Sequence, residues 1–202
     1  MIAIIDYGVG NLSSVLNAFQ TMGVEVEITN NPDRIRTADK IVLPGVGAFK
    51  AGMQNLQKLG LIDVLKEEVM NKKKPFLGIC LGMQLIFTKS YEDGETKGLD
   101  WINGEVVRFD VEKKGLRVPH VGWNEVTCDT KSFIFKGSPE KQHFYFVHSY
   151  YPVSQEEVSI GKCDYGCEFT AVLQKENIFA TQFHPEKSQQ EGLELLRKFA
   201  ML

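Results

Sequence analysis

Pro75-Phe76-Leu77-Gly78-Ile79-Cys80-Leu81-Gly82-Met83-Gln84 is an apolar run that ends in a thiol flanked by glycines. The residues before Cys80 read as a buried strand, and Met83-Gln84-Leu85-Ile86-Phe87 after it read as a helix. A G-x-C-x-G stretch at a strand-to-helix junction is the thiol counterpart of the nucleophile elbow. Such a turn is tight and strained, so small residues are needed on either side. It lifts the sulfur out of the sheet and sets it near a helix N-terminus, a position that favours thiolate over thiol. On this stretch alone a buried structural cysteine is an equal alternative, because free cysteines are among the most buried residues.

A second stretch shifts that balance. Gln182-Phe183-His184-Pro185-Glu186 follows Asn177-Ile178-Phe179-Ala180-Thr181, which reads as a strand. His184 and Glu186 then lie just past the sheet edge. Residues two apart on an extended chain share a side, and Pro185 favours extension, so Glu186 can orient the imidazole toward a thiol. Thiol, base and orienting group make an activated nucleophile.

Ahead of the elbow the chain alternates. Strands are expected at Ile2–Ile5, Val24–Thr29 and Lys40–Leu43, with helices over Leu12–Met22 and roughly Met53–Asn71. Strand–helix–strand succession predicts an α/β fold with a mostly parallel sheet flanked by helices. The second half reads as added antiparallel strands: Gly104–Phe109, Asn124–Cys128, Phe144–Val147, Val158–Cys163, Phe169–Gln174 and Ile178–Gln182. A closing helix covers Glu191–Ala200. Residues 1–202 are expected to form a single domain around one substantial core. Ligands of such sheets bind beyond the carboxyl ends of the strands. Gly8-Val9-Gly10, Pro44-Gly45-Val46-Gly47, the elbow and His184-Pro185-Glu186 all fall there.

Apolar residues make up 43% and charged residues 24%, ordinary for a globular protein. A net charge of −3 gives no support for broad nucleic-acid binding. The basic cluster Lys72-Lys73-Lys74 reads as a solvated helix end. Met1-Ile2-Ala3-Ile4-Ile5-Asp6 lacks the basic region and length of a signal peptide. No segment approaches the roughly 20 apolar residues of a membrane span. A cytoplasmic protein with reduced thiols is expected. Cys163 and Cys167 lack a second close Cys/His pair, so neither a metal nor a cofactor is expected.

With these motifs in hand, the chain resembles the class I (triad) glutamine amidotransferases, a flavodoxin-like fold. Within them it is similar to the glutaminase subunits of imidazole glycerol phosphate synthases, which serve histidine biosynthesis. The elbow and His184-Pro185-Glu186 carry the broader resemblance. Asp6-Tyr7-Gly8-Val9-Gly10-Asn11 and Pro119-His120-Val121-Gly122-Trp123-Asn124 carry the narrower one. Ala180 and Gln189-Gln190 depart from the more glycine-rich pattern of the family.

The resemblance implies hydrolysis of L-glutamine to glutamate and ammonia by Cys80, His184 and Glu186. The oxyanion that forms needs two donors, expected from the backbone N–H of Leu81, next after the sulfur, and of Val46; the glycines around Val46 predict a peptide flip there as the partner-controlled switch. Gly47, Gln84, Ser149 and Tyr150 are expected to hold the substrate. A separate (β/α)8-barrel cyclase subunit is the implied partner, docking at Asn11, Trp123, Tyr145 and Lys187 to form a heterodimer that channels ammonia. The alternative at this level is a paralogous subunit that supplies ammonia to a surface-sugar synthase.

Overall fold

A computed structural model describes residues 1–202. The first half contains β1 (Ile2–Ile5), α1 (Leu12–Thr21), β2 (Val26–Thr29), α2 (Pro32–Thr37), β3 (Lys40–Gly45), α3 (Phe49–Lys58), α4 (Leu61–Lys66), β4 (Phe76–Cys80) and α5 (Leu81–Leu85). The second contains β5 (Phe87–Ser90), β6 (Thr96–Lys97), β7 (Ile102–Arg108), β8 (His120–Cys128), β9 (Lys141–His148), β10 (Tyr150–Ser154), β11 (Ser159–Asp164), β12 (Glu168–Lys175), β13 (Ile178–Thr181) and α6 (Gln189–Ala200).

The main sheet has nine strands in the order β2-β1-β3-β4-β13-β12-β11-β8-β9. The first five run parallel. The other four extend the same sheet antiparallel. The α/β class and the added antiparallel strands therefore hold. A four-stranded sheet, β10-β7-β5-β6, stands apart. The sequence reading missed most of it, because β5 and β10 follow other elements after a single residue and β6 is only two residues long.

Apart from the edge strand β2, the parallel strands are buried on both faces, which is why they read as continuous apolar runs. All four residues of β1 are buried. Ile2 and Ile4 point into a core shared with Phe19, Leu196 and Phe199 of α1 and α6. Ala3 and Ile5 point into another, shared with Leu56, Leu65 and Leu81 of α3, α4 and α5. The expected single core is thus two, because a sheet covered on both faces divides it.

The helix expected over Met53–Asn71 is also divided. Gly60 takes a left-handed φ of 65° between α3 and α4, and Glu67–Asn71 widen into a π-helical turn. Glycine enters that region without a Cβ clash, so the chain can end one helix and restart another. The elbow helix starts two residues earlier than expected and stops at Leu85. The lysine cluster is not simply solvated. Lys72 and Lys74 each reach the fully buried side chain of Glu68 at 2.7 Å. A carboxylate taken out of water needs such partners. Lys73 pairs with Glu176 at the surface instead.

One pairing positions the chemistry. β13, near the end of the chain, lies parallel to β4, with Thr181 opposite Ile79. Cys80 and the residues after Thr181 therefore emerge at the same end of the sheet.

Candidate active site

The elbow is strained as its sequence suggests. Cys80 has φ 53° and ψ −105°, a region an L-residue enters at a cost of about 1–3 kcal/mol. Close packing fixes the flanking glycines. A Cβ on Gly78 would lie 2.7 Å from the Gly82 carbonyl oxygen, and one on Gly82 only 1.8 Å from that of Leu43. The result is a sulfur at the top of β4, buried but reachable from a cleft. The thiol approaches the Val147 carbonyl at 3.9 Å and accepts from Gln182 Nε2 at 3.7 Å.

His184 and Glu186 meet by a different route from the one expected. The chain does not stay extended through Pro185; Pro185–Lys187 form a 3-10 turn. The turn brings Glu186 back under the ring, where Oε1 accepts from His184 Nδ1 at 2.8 Å. Both side chains are 2% exposed. Nδ1 is thereby the protonated nitrogen, and Nε2 is buried with no acceptor or donor in good geometry. Burial opposes a charge on His184. Interaction with the Cys80 sulfur as thiolate and with the Glu186 carboxylate outweighs it and pushes the imidazole up to about 10. The geometry suits a base that takes a proton from sulfur and keeps it while an oxyanion exists nearby.

A cleft of about 600 Å³ opens over Cys80. Val46, Gly47, Leu81, Gln84, Ser149, Tyr150 and Lys187, all singled out from sequence, line it. Val46 sits at the lip, 39% exposed, and its N–H donates to no atom of the chain. Gly47 beside it has φ 105°. Leu81 begins α5, one residue after the sulfur. Gln84 is neither a cap nor solvated. Its Nε2 donates to the Tyr150 carbonyl at 2.9 Å and to Gln182 Oε1 at 3.2 Å.

Three of the four expected docking residues, Trp123, Tyr145 and Lys187, lie together. Trp123 is 45% exposed and meets Tyr145 edge-on, with centroids 6.2 Å apart. Lys187 Nζ lies 6.0 Å over the Tyr145 ring. Exposed Asn11 caps α1, accepting from Ser14 N–H.

Four contributors escaped the sequence reading. Ser188 is fully buried and donates to the His184 carbonyl at 2.6 Å while accepting from Tyr145 N–H at 3.0 Å. It ties the base-bearing turn to β9. Its place just before a helix was a usable signal. Gln182 bridges Gln84 and Cys80. Glu92 lines the cleft and accepts the Phe49 N–H at 2.7 Å, closing the start of α3. His148 lines the cleft as well. The last three come from registers and loop packing that no local pattern reports.

The profile of the family "Glutamine amidotransferase class-I" matches residues 3–202. The chain belongs to the class I glutamine amidotransferases. It is 52% identical over 202 residues to the imidazole glycerol phosphate synthase subunit HisH 1 of Campylobacter jejuni, covering 100% of both chains. It is 49% identical to subunit HisH of Moorella thermoacetica, covering 100% of this chain and 94% of the other. It is 47% identical to HisH 2 of Pseudomonas aeruginosa, with 100% of both covered. Among solved structures, this amidotransferase superposes on one described as a glutamine amidotransferase with TM-score 0.74, at 16% identity over 100% of both chains. It matches the PurLQS structure from Thermotoga maritima with TM-score 0.73, at 16% identity over 98% of this chain and 96% of that one. Those two likenesses concern the fold.

Proposed function

We propose that this amidotransferase is the glutaminase subunit of an imidazole glycerol phosphate synthase. It hydrolyses L-glutamine to glutamate and ammonia. One observation carries the chemistry: a strained cysteine at the head of an open cleft, beside a buried histidine already bonded to a carboxylate. Relatives of the same length and about half identity carry the choice of synthase.

In the proposed reaction Cys80 Sγ attacks the side-chain amide carbon of glutamine as His184 Nε2 takes the thiol proton. The carbonyl oxygen becomes an oxyanion. Backbone N–H groups of Leu81 and Val46 are its donors, each worth about 3–4 kcal/mol to the transition state. The intermediate collapses, the C–N bond breaks, and His184 returns the proton to the departing ammonia. The γ-glutamyl thioester is then hydrolysed, with His184 as base toward water. Glu186 holds the ring throughout. Gln84, Gly47, Ser149 and Tyr150 grip the amino-acid end. The unbonded Val46 N–H and the open backbone of Gly47 support a peptide that rotates into place when the partner docks.

Ammonia is protonated in water and lost as a nucleophile, which favours direct delivery. The proposed recipient is a separate (β/α)8-barrel cyclase subunit, seated on the Asn11, Trp123, Tyr145 and Lys187 rim. The partner uses the ammonia to make imidazole glycerol phosphate and an aminoimidazole carboxamide ribotide. No helix of the structure is long and apolar enough to cross a membrane. We place the 1–202 domain in the cytoplasm.

Two relatives carry copy numbers in their names, HisH 1 and HisH 2. That numbering favours, as the second reading, a paralogous subunit serving a surface-sugar synthase. Complementation of a histidine auxotroph lacking its own glutaminase subunit separates the two: growth supports the first reading, and failure with a well-expressed chain supports the second. Glutamate release that survives Cys80→Ala would overturn both.

A further inference from the structure

Behind the cleft, hydrogen bonds fix the proton order of three side chains. Asn124 Oδ1 accepts from Glu125 N–H at 2.8 Å, and its Nδ2 donates to the Asp164 carbonyl at 2.9 Å. The amide is therefore oriented, and Nδ2 is the donor to His120 Nε2 at 3.3 Å. With Nε2 accepting, His120 carries its hydrogen on Nδ1, which faces His148 Nε2 at 3.0 Å. His148 likewise carries its hydrogen on Nδ1 and donates it to the Tyr150 carbonyl at 2.9 Å. A neutral imidazole has one donor and one acceptor, and here every one of them is used.

This run of hydrogen bonds ends where substrate binds. The Tyr150 carbonyl receives both His148 and Gln84 Nε2, the latter also at 2.9 Å. Gln84 continues to Gln182, and Gln182 to the Cys80 sulfur.

We propose that His120 and His148 are positioning residues of the glutamine site, a directional pair of neutral imidazoles that anchors the Tyr150 carbonyl and, through it, Gln84. The proposal rests on reading the cleft as a glutamine site. Two features explain imidazoles here rather than other donors. First, His120 is held flat between Phe146 and Tyr165, with centroids 4.8 and 4.0 Å away. A planar ring fits that slot while passing a hydrogen bond through its plane. Second, the pair works only uncharged. A proton added to either ring would set N–H against N–H across the 3.0 Å contact, or against Asn124 Nδ2. It would also add a positive charge within electrostatic reach of His184. Burial among aromatic rings keeps both uncharged, with His120 pushed down to about 4 and His148 to about 3.

His120→Phe tests this, because it keeps the stacked ring and removes both of its hydrogen bonds. The first measurement is long-range 1H–15N correlation on the full chain with 15N-labelled histidine. In the wild type at pH 7 both rings should be neutral Nδ1–H tautomers. In the variant the His148 Nε2 resonance should lose the shift that an accepted hydrogen bond imparts. The second measurement is capture of Cys80 by a chloromethyl ketone analogue of glutamine, with iodoacetamide as a probe that needs no amino-acid grip. Half-saturation for the analogue should rise about 3- to 10-fold, the weight of one lost hydrogen bond. The iodoacetamide rate should stay within about twofold.

A wild-type spectrum with either ring as Nε2–H or imidazolium overturns the proposal, and it stands whether or not the variant folds. Unchanged half-saturation in a folded variant also overturns it. Absence of saturation in the wild type overturns the glutamine-site reading instead.

Discussion

Replacing Gly82 by alanine should damage this enzyme more than its size suggests. The added Cβ would sit 1.8 Å from the Leu43 carbonyl oxygen and 2.9 Å from its carbon. Carbon and carbonyl oxygen tolerate about 3.3 Å at closest, so roughly 1.5 Å of separation must be found. Both sides of the clash are backbone. Leu43 lies in β3, paired with Gly78 of β4 beneath the elbow, and Gly82 lies in the elbow helix itself. Overpacking typically costs about 1–3 kcal/mol, and two elements of fixed backbone put this case near about 3 kcal/mol. For a domain of this size that lowers the melting temperature by about 6–12 °C. The relaxation also moves α5 relative to His184. A misplacement of about 1 Å at a reacting group is enough to lose about 100-fold in turnover. Gly52→Ala is the control, because the nearest atoms to its Cβ would be side-chain tips of Leu81 and Leu85, at 3.3 Å, and α3 gains helix propensity. Thermal unfolding followed by circular dichroism and steady-state glutamate release give the two readouts. If Gly82→Ala melts within about 2 °C of the wild type and retains its turnover, the packing argument for the elbow is wrong.

Glu186→Gln keeps the shape beneath His184 and removes the charge. Turnover in the partner complex should fall about 100-fold or more with little change in KM, measured as glutamate release. Buried neutral His120 and His148 favour the folded state above the unfolded value near 6.5, because only the unfolded chain takes their protons. That contribution declines as pH falls toward their lowered values, by roughly 2 kcal/mol per ring between pH 8 and pH 5. Urea titrations at both pH values should show it, and His120→Phe should remove about half. Lys74→Met strips one of two partners from buried Glu68 and should destabilise by about 2–3 kcal/mol, whereas Lys73→Ala should stay within about 0.5 kcal/mol. Denaturant midpoints compare them directly. Trp123→Ala should leave the melting point nearly unchanged yet weaken the cyclase-subunit complex about tenfold, read by calorimetry.

Much of this molecule could be read without coordinates. The parallel strands announce themselves because burial on both faces removes every polar residue from Ile2–Ile5 and Phe76–Cys80. The elbow was legible because its glycines answer to backbone contacts one turn or one strand away. His184 and Glu186 were recognisable as a pair, but their route together was not. An extended chain and a 3-10 turn both bring residues two apart within reach, and Pro185 fits either. The helix over Met53–Asn71 hid its breaks because apolar spacing continues past Gly60. Gln182, Ser188 and His148 stayed hidden for another reason. Their partners are 102, 43 and 28 residues away, at Cys80, Tyr145 and His120. No local period encodes such distances. Gln189 offers a partial signal, since it takes φ 50° at a position where the family pattern is glycine-like.

The insertion of β13 between β4 and β12 has a consequence for how this enzyme comes into being. The strand that completes the middle of the sheet follows the other twelve in chain order, so a nascent chain short of residue 178 presents two open strand edges and no His184 for its sulfur. The thiol of Cys80 thereby waits for its histidine until β13 has been made and seated. Closing the sheet and bringing imidazole to sulfur become a single event.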